Sequence, residues 1–175
     1  MEADYLHLIV NHFPIFSVLF GILILGWGLF RKNTSILQIA MVLFLLGAVS
    51  SYVAMETGEA AEDIVEELSV ASHEVIHNHE EAAEIAFWFT ITTGLLSIVG
   101  LYVISYDLRW RNTLFGVLAI SALISLGALL YTAYQGGKIF HSGTTGAVPT
   151  EQLNTTETET GREMIHRISH IEFRL

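Results

Sequence analysis

Imidazole is the side chain here with the most chemistry to offer. Two of them, His7 and His12, stand in Leu6-His7-Leu8-Ile9-Val10-Asn11-His12-Phe13-Pro14-Ile15, at the mouth of the first long apolar run. A neutral imidazole can give a lone pair to a metal. Pro14 has no amide hydrogen, so it leaves the Val10 carbonyl without its usual helical donor. Ionisable groups at membrane depth are costly and point to function by default. Six more histidines follow: His73, His77 and His79 in one cluster, His141, and the tail pair His166 and His170. Cysteine is absent, which excludes disulfides, thiolate zinc sites, cysteine-ligated clusters and covalent C-x-x-C-H attachment of haem. Any metal or haem must be held by His, Met, Tyr or carboxylates.

The elements that position these residues follow from hydropathy. The chain has 175 residues, 52% of them hydrophobic, and its charges are confined to a few stretches. A bilayer core takes about 20 apolar residues as helix. Four runs meet that length: roughly Leu6 to Phe30, Ile36 to Met55, Ala82 to Ser105 and Thr113 to Tyr134, with Gly136-Gly137 expected to break the last. The fold class expected is all-α, a four-helix transmembrane bundle with an extramembrane helical extension and a C-terminal amphipathic helix. Too few residues lie outside the runs for a second sizeable domain. The formal charge of −10 argues against nucleic acid as partner and fits cations or a basic protein. With no basic stretch ahead of the first apolar run, a cleaved signal peptide is not expected.

Basic residues set the orientation. The connections 31–35 and 106–112 carry two apiece, whereas Lys138 alone approaches a membrane boundary on the other side. Both termini and the acidic 56–84 segment are therefore expected away from the cytoplasm, on the periplasmic side of a bacterial inner membrane. All eight histidines then fall on that side, which suggests one site near the outer leaflet.

The first candidate site is a haem b held by two imidazoles between helices. His12 on the first span and His79 at the head of the third fit best, with His7 and His141 as alternates. Phe13, Phe16, Phe87, Trp88, Phe89, Tyr134 and Phe140 are its candidate walls. The competing reading makes those aromatics an interfacial belt and the histidines polar helix ends.

The second candidate is a divalent-metal site. Projected at 100° per residue from His73, residues Glu59, Glu62, Glu66, His77, Glu80 and Glu84 fall within about 40° of it, if 58–84 is one helix. His79 falls on the opposite, apolar face, between Val75 and Ala82. His73, His77, Glu80 and Glu84 are thus the candidate metal ligands, in a mixture that suits Zn, Mn, Fe or Ni. The alternative is a solvated acidic surface, which the pattern fits better. Glu56, Glu59 and Glu62, directly after the second span, are a weaker candidate for taking up protons or a cation. His166 and His170 share the i, i+4 spacing but sit on the polar face of the tail.

Three regions result: a transmembrane domain over 1–141, a small polar linker over 142–160, and an amphipathic helix over 161–175. In the last, Met164, Ile165, Ile168, Ile171 and Leu175 form an apolar stripe suited to a membrane surface or a partner.

Leu6-His7, followed by His12-Phe13-Pro14-Ile15, resembles the opening of a family of small bacterial four-helix membrane proteins catalogued as a domain of unknown function, which typically begins L-H-P-x-x-V-H-F-P-I. Gly136-Gly137-Lys138-Ile139 is similar to that family's G-G-x-[LI] ending. Thr57-Gly58-Glu59-Ala60-Ala61-Glu62 and Ile76-His77-Asn78-His79-Glu80-Glu81-Ala82-Ala83-Glu84 also look familiar. The chain departs from the pattern with Leu8 in place of proline and Asn11 in place of valine, and keeps both imidazoles. The resemblance implies a four-helix membrane module. Relatives fused to c-type cytochrome domains suggest a redox role, but the family supplies no catalytic residues. The function expected is therefore a b-type cytochrome-like electron-transfer subunit, with a periplasmic c-type cytochrome or a larger respiratory complex as partner. The alternatives are a divalent-metal binding or transport module and a non-catalytic accessory subunit. A stand-alone enzyme is the less favoured reading.

Overall fold

The computed structural model describes the backbone of residues 3–67, 72–106 and 108–144, and the side chains of 7–60, 72–106 and 108–139. Five helical segments follow one another: α1 (Ala3–Val10), α2 (His12–Arg31), α3 (Thr34–Glu67), α4 (His73–Ser105) and α5 (Arg111–Thr144). Four helices are long and apolar enough to cross a membrane, the first of them made by α1 and α2 together. The linker and the C-terminal segment 161–175 lie outside the described residues.

The chain punctuates these helices for local reasons. Asn11, between α1 and α2, keeps helical dihedrals (φ −59°, ψ −22°) and donates its amide to the His7 carbonyl at 2.9 Å. The interruption there follows from Pro14, which has no hydrogen to offer the Val10 carbonyl. At the far end of α2, Lys32 turns left-handed (φ 50°, ψ 38°) and the Asn33 amide reaches back to the Gly28 carbonyl at 3.0 Å. The Asn33 side chain then accepts the Ile36 amide at 3.1 Å, so one residue closes α2 and opens α3.

Two expectations are corrected. Gly136-Gly137 does not end the fourth span, because α5 runs on to Thr144. A glycine pair weakens a helix by propensity alone, and here Gly136 accommodates a neighbouring ring instead. Nor is 58–84 one continuous helix. Ser72 is extended (φ −70°, ψ 145°) and α4 starts afresh at His73, so the angular register between Glu59–Glu66 and His73 is lost.

The helices form a ring. α2 packs on α3, α3 on α4, α4 on α5, and α5 closes against α2, while α1 leans on α3. The core consists of Val18, Leu25, Leu37, Met41, Phe44, Phe115, Leu118 and Ala122 with their neighbours. Backbones approach where side chains are small: a Cβ at Gly21 would meet the Phe44 ring at 2.6 Å, and one at Gly94 would meet the Ala48 Cβ at 2.5 Å. Small residues at such contacts are how membrane helices gain packing contact. Between α4 and α5 the core is polar. Thr93 Oγ1 lies 2.8 Å from both Ser121 Oγ and Ser125 Oγ, fully buried. Many other large apolar side chains face outward: Leu23, Leu46, Leu95, Ile98 and Leu123 are all more than half exposed. Exposed aromatics ring both ends, Trp27, Phe30, Tyr102, Tyr106 and Trp110 at one and Phe13, Phe16, Trp88, Tyr131 and Tyr134 at the other.

Candidate functional site

The antiparallel ring brings the head of α1 and the head of α4 to the same end, and with them His7 and His79. Each imidazole leaves its own helix and docks on the next. His7 Nδ1 lies 3.0 Å from the Ala54 carbonyl oxygen of α3 and 3.3 Å from Thr57 Oγ1. His79 Nδ1 lies 3.1 Å from the Thr132 carbonyl oxygen of α5. A carbonyl only accepts, so Nδ1 carries the hydrogen in both rings and donates it. In a neutral ring that tautomer leaves the lone pair on Nε2.

The ring seats are equally alike. A Cβ at Gly58 would lie 3.1 Å from His7 Cε1 and 3.9 Å from Nε2. A Cβ at Gly136 would lie 3.1 Å from His79 Cε1 and 3.8 Å from Nε2. Each glycine is four residues beyond the carbonyl that holds its histidine, one turn along the same face. Any larger residue would push the ring away. Both imidazoles are partly buried, and His7 lies within electrostatic reach of His79. One turn along from His7, the buried Asn11 Oδ1 has no hydrogen-bond partner among the described residues.

Of the pairing favoured by sequence, His12 with His79, His79 is partly buried and docked on α5, while His12 has no such seat. His12 is exposed, in an open outer groove with Ile9, Phe13, Phe16, Ser17, Phe20 and Leu43. The reason is angular: five residues separate the two histidines, and five steps of 100° turn His12 well away from His7. His141 lies in α5, but its side chain is outside the described residues. The supposed walls mostly face outward too: Phe13, Phe16, Trp88, Phe89 and Tyr134 are exposed. Phe140 is outside the described side chains.

Of the metal candidates, His73, His77 and Glu84 are exposed on α4. His77 Nδ1 is 3.6 Å from Glu80 Oε2 and His77 Nε2 is 3.6 Å from Glu81 Oε1, an exposed cluster of imidazole and carboxylates along one helix. Among the described residues no three His, Cys, Asp or Glu side chains gather as a metal-ion shell. Glu62, Glu66, His166 and His170 fall outside the described side chains.

What the sequence reading missed are the residues that seat the rings: Ala54, Thr57, Gly58, Thr132 and Gly136. The two glycines were visible, Gly58 in the motif Thr57-Gly58-Glu59 and Gly136 in the pair Gly136-Gly137, but the first drew no structural role and the second read as helix punctuation. Their role appears only with the neighbouring helix in place.

The donor set can be matched to a ligand. Metal-bound histidines almost always give their other ring N–H to a carbonyl or carboxylate, which fixes tautomer and ring angle. His7 and His79 both have that support. A divalent ion in a structural site needs three or four protein donors. Haem iron already has four pyrrole nitrogens and asks the protein for at most two more. Two supported imidazoles with no third donor beside them, among the described residues, fit the second demand. Compared with family models, curated proteins and solved structures, the chain finds no match in any of the three.

Proposed function

We propose that this protein is a membrane electron-transfer subunit that holds haem b between His7 and His79. The observation that carries the reading is the twin docking of Nδ1 on Ala54 and Thr132, which leaves two Nε2 lone pairs at one end of the bundle. His7 takes the place that sequence assigned to His12. A haem held there supplies a reversible one-electron couple. The chain's own residues do the rest: the two carbonyls orient the rings, Gly58 and Gly136 admit them, and the surrounding helices keep water from the iron. Axial ligation and burial set the potential of such a centre.

The setting proposed with it is a bacterial inner membrane with both chain ends in the periplasm. There the end of α3 would extend past the bilayer, and the acidic surface around Glu80, Glu81 and Glu84 would receive a basic periplasmic c-type cytochrome. Kinship with the four-helix family of unknown function rests on the His7 to Ile15 motif and belongs to this proposal. An absorption spectrum of detergent-purified protein tests the function. A Soret band, a reduced α-band and one iron per haem are expected. Absence of both porphyrin absorbance and iron ends the reading.

A further inference from the structure

The bundle is built twice over. In α2 the buried positions are Pro14, Val18, Gly21, Leu25 and Gly28; in α4 they include Ala86, Thr90, Thr93, Ser97 and Gly100. Every one of these pairs is separated by 72 residues, as His7 is from His79. In α3 the buried positions include Leu37, Ala40, Phe44, Gly47 and Ser51; in α5 they include Phe115, Leu118, Ala122, Ser125 and Leu129. These pairs are separated by 78 residues, as Ala54 is from Thr132 and Gly58 from Gly136. The order of contacts around the ring repeats as well: α2 on α3 corresponds to α4 on α5 in similar extent, and α3 on α4 corresponds to α5 on α2, where the contact is smaller. Side-chain type is mostly not repeated: Val18 answers to Thr90, Phe44 to Ala122. Among the pairs named, the identical residues are His7/His79, Gly28/Gly100 and Gly58/Gly136. Two of those three identities are the imidazole and the glycine that seats it.

We infer that the chain is an internal repeat of two helical hairpins related by a two-fold axis along the bundle, and that His7 and His79 share one ligand lying on that axis. The axis runs along the helices because both hairpins begin at the same end, the parallel arrangement of repeats in membrane proteins. A rotation that superposes the hairpins carries one Nε2 onto the other, so a ligand on the axis meets two equivalent nitrogens from opposite sides. A planar macrocycle with two open axial positions has that symmetry. Gly58 and Gly136 are its positioning residues, acting through the rings. The first buried residues inward of the imidazoles on α2 and at the matching place on α4, Pro14 and Ala86, are both short. The identity of the ligand rests on the haem reading above; the axis does not.

Two measurements on the full chain separate these claims. The sequence has no cysteine, so spin labels can be placed singly or in pairs. Labels at the exposed positions Leu23 and Ile124 should give the same distance by pulsed EPR as labels at Leu95 and Leu46, their partners under the rotation. Unequal distances overturn the axis. Hemin titrated into the purified protein should saturate at one per chain. His7→Ala and His79→Ala should each abolish low-spin bis-imidazole binding, with the double variant no worse than either. His7→Met should restore a low-spin spectrum of altered position, which a variant that merely fails to fold does not do. Two hemins per chain, or half the binding surviving in each single variant, overturns sharing. No hemin binding with equal label distances overturns the haem reading and the shared ligand while the repeat stands.

Discussion

A single methyl group separates tolerated from forbidden glycines in this bundle. A Cβ on Gly94 would sit 2.5 Å from the Ala48 Cβ, two atoms that are both fixed to helical backbone. Relief requires α3 and α4 to move apart, and overpacking of this kind costs about 1–3 kcal/mol. Gly127 is equally helical, but a Cβ there meets nothing within 4 Å. Gly94→Ala should therefore lower the thermal midpoint in detergent, whereas Gly127→Ala should leave it unchanged or raise it slightly, since alanine is favoured over glycine in helices by about 1 kcal/mol. Equal midpoints for the two variants would contradict the α3–α4 contact. At the imidazole seats the consequence is positional: Gly58 and Gly136 hold His7 and His79 by leaving room, and the rings are what a new methyl would displace.

At the scale of elements, the interruption at Asn11 lies between His7 and the body of the first span. Pro14 is buried on α2 and deprives Val10 of a donor, and α1 packs on α3, where His7 reaches the Ala54 carbonyl. Pro14→Ala restores the missing hydrogen bond and removes the reason for the break. The variant should gain helical continuity across residues 8–14, seen as slower amide exchange. It should also bind hemin several-fold more weakly although both histidines remain. Unchanged affinity with slowed exchange would separate the break from the site. The orphaned Val10 carbonyl was legible in advance, because proline's effect is local and sequence alone carries it, although the first span read there as one helix from Leu6 to Phe30. The glycine pair in α5 was misread for the opposite reason: what it meets, the His79 ring, comes from a helix more than fifty residues away in sequence.

For the molecule as a whole, the exposed apolar belt and the aromatic rings at both ends suit a bilayer, and the basic connections 31–35 and 106–112 are the basis of the proposed orientation. The orientation proposed above predicts that a membrane-impermeant maleimide applied to intact cells labels Ser72→Cys and spares Ser35→Cys until the membrane is opened. The reverse pattern would put the imidazole end in the cytoplasm and remove a periplasmic cytochrome as partner. The same whole-molecule view exposes the repeat. Side chains at matching positions differ so widely that the letters hide it, and only the list of buried positions reveals the register.

Membrane-length apolar runs, the all-helical class and the Val10 carbonyl orphaned by Pro14 were all written in the chain, because each depends on residue type and near neighbours. Which imidazoles are seated against a neighbouring helix was not. His7 and His12 offer the same chemistry, and their choice depends on which face of the first span turns toward α3. That face is fixed by packing against residues 40 to 50 positions away, together with a carbonyl and a glycine that carry no side-chain signal of their own. Backbone groups and empty space make this site, and neither is visible before the helices are assembled.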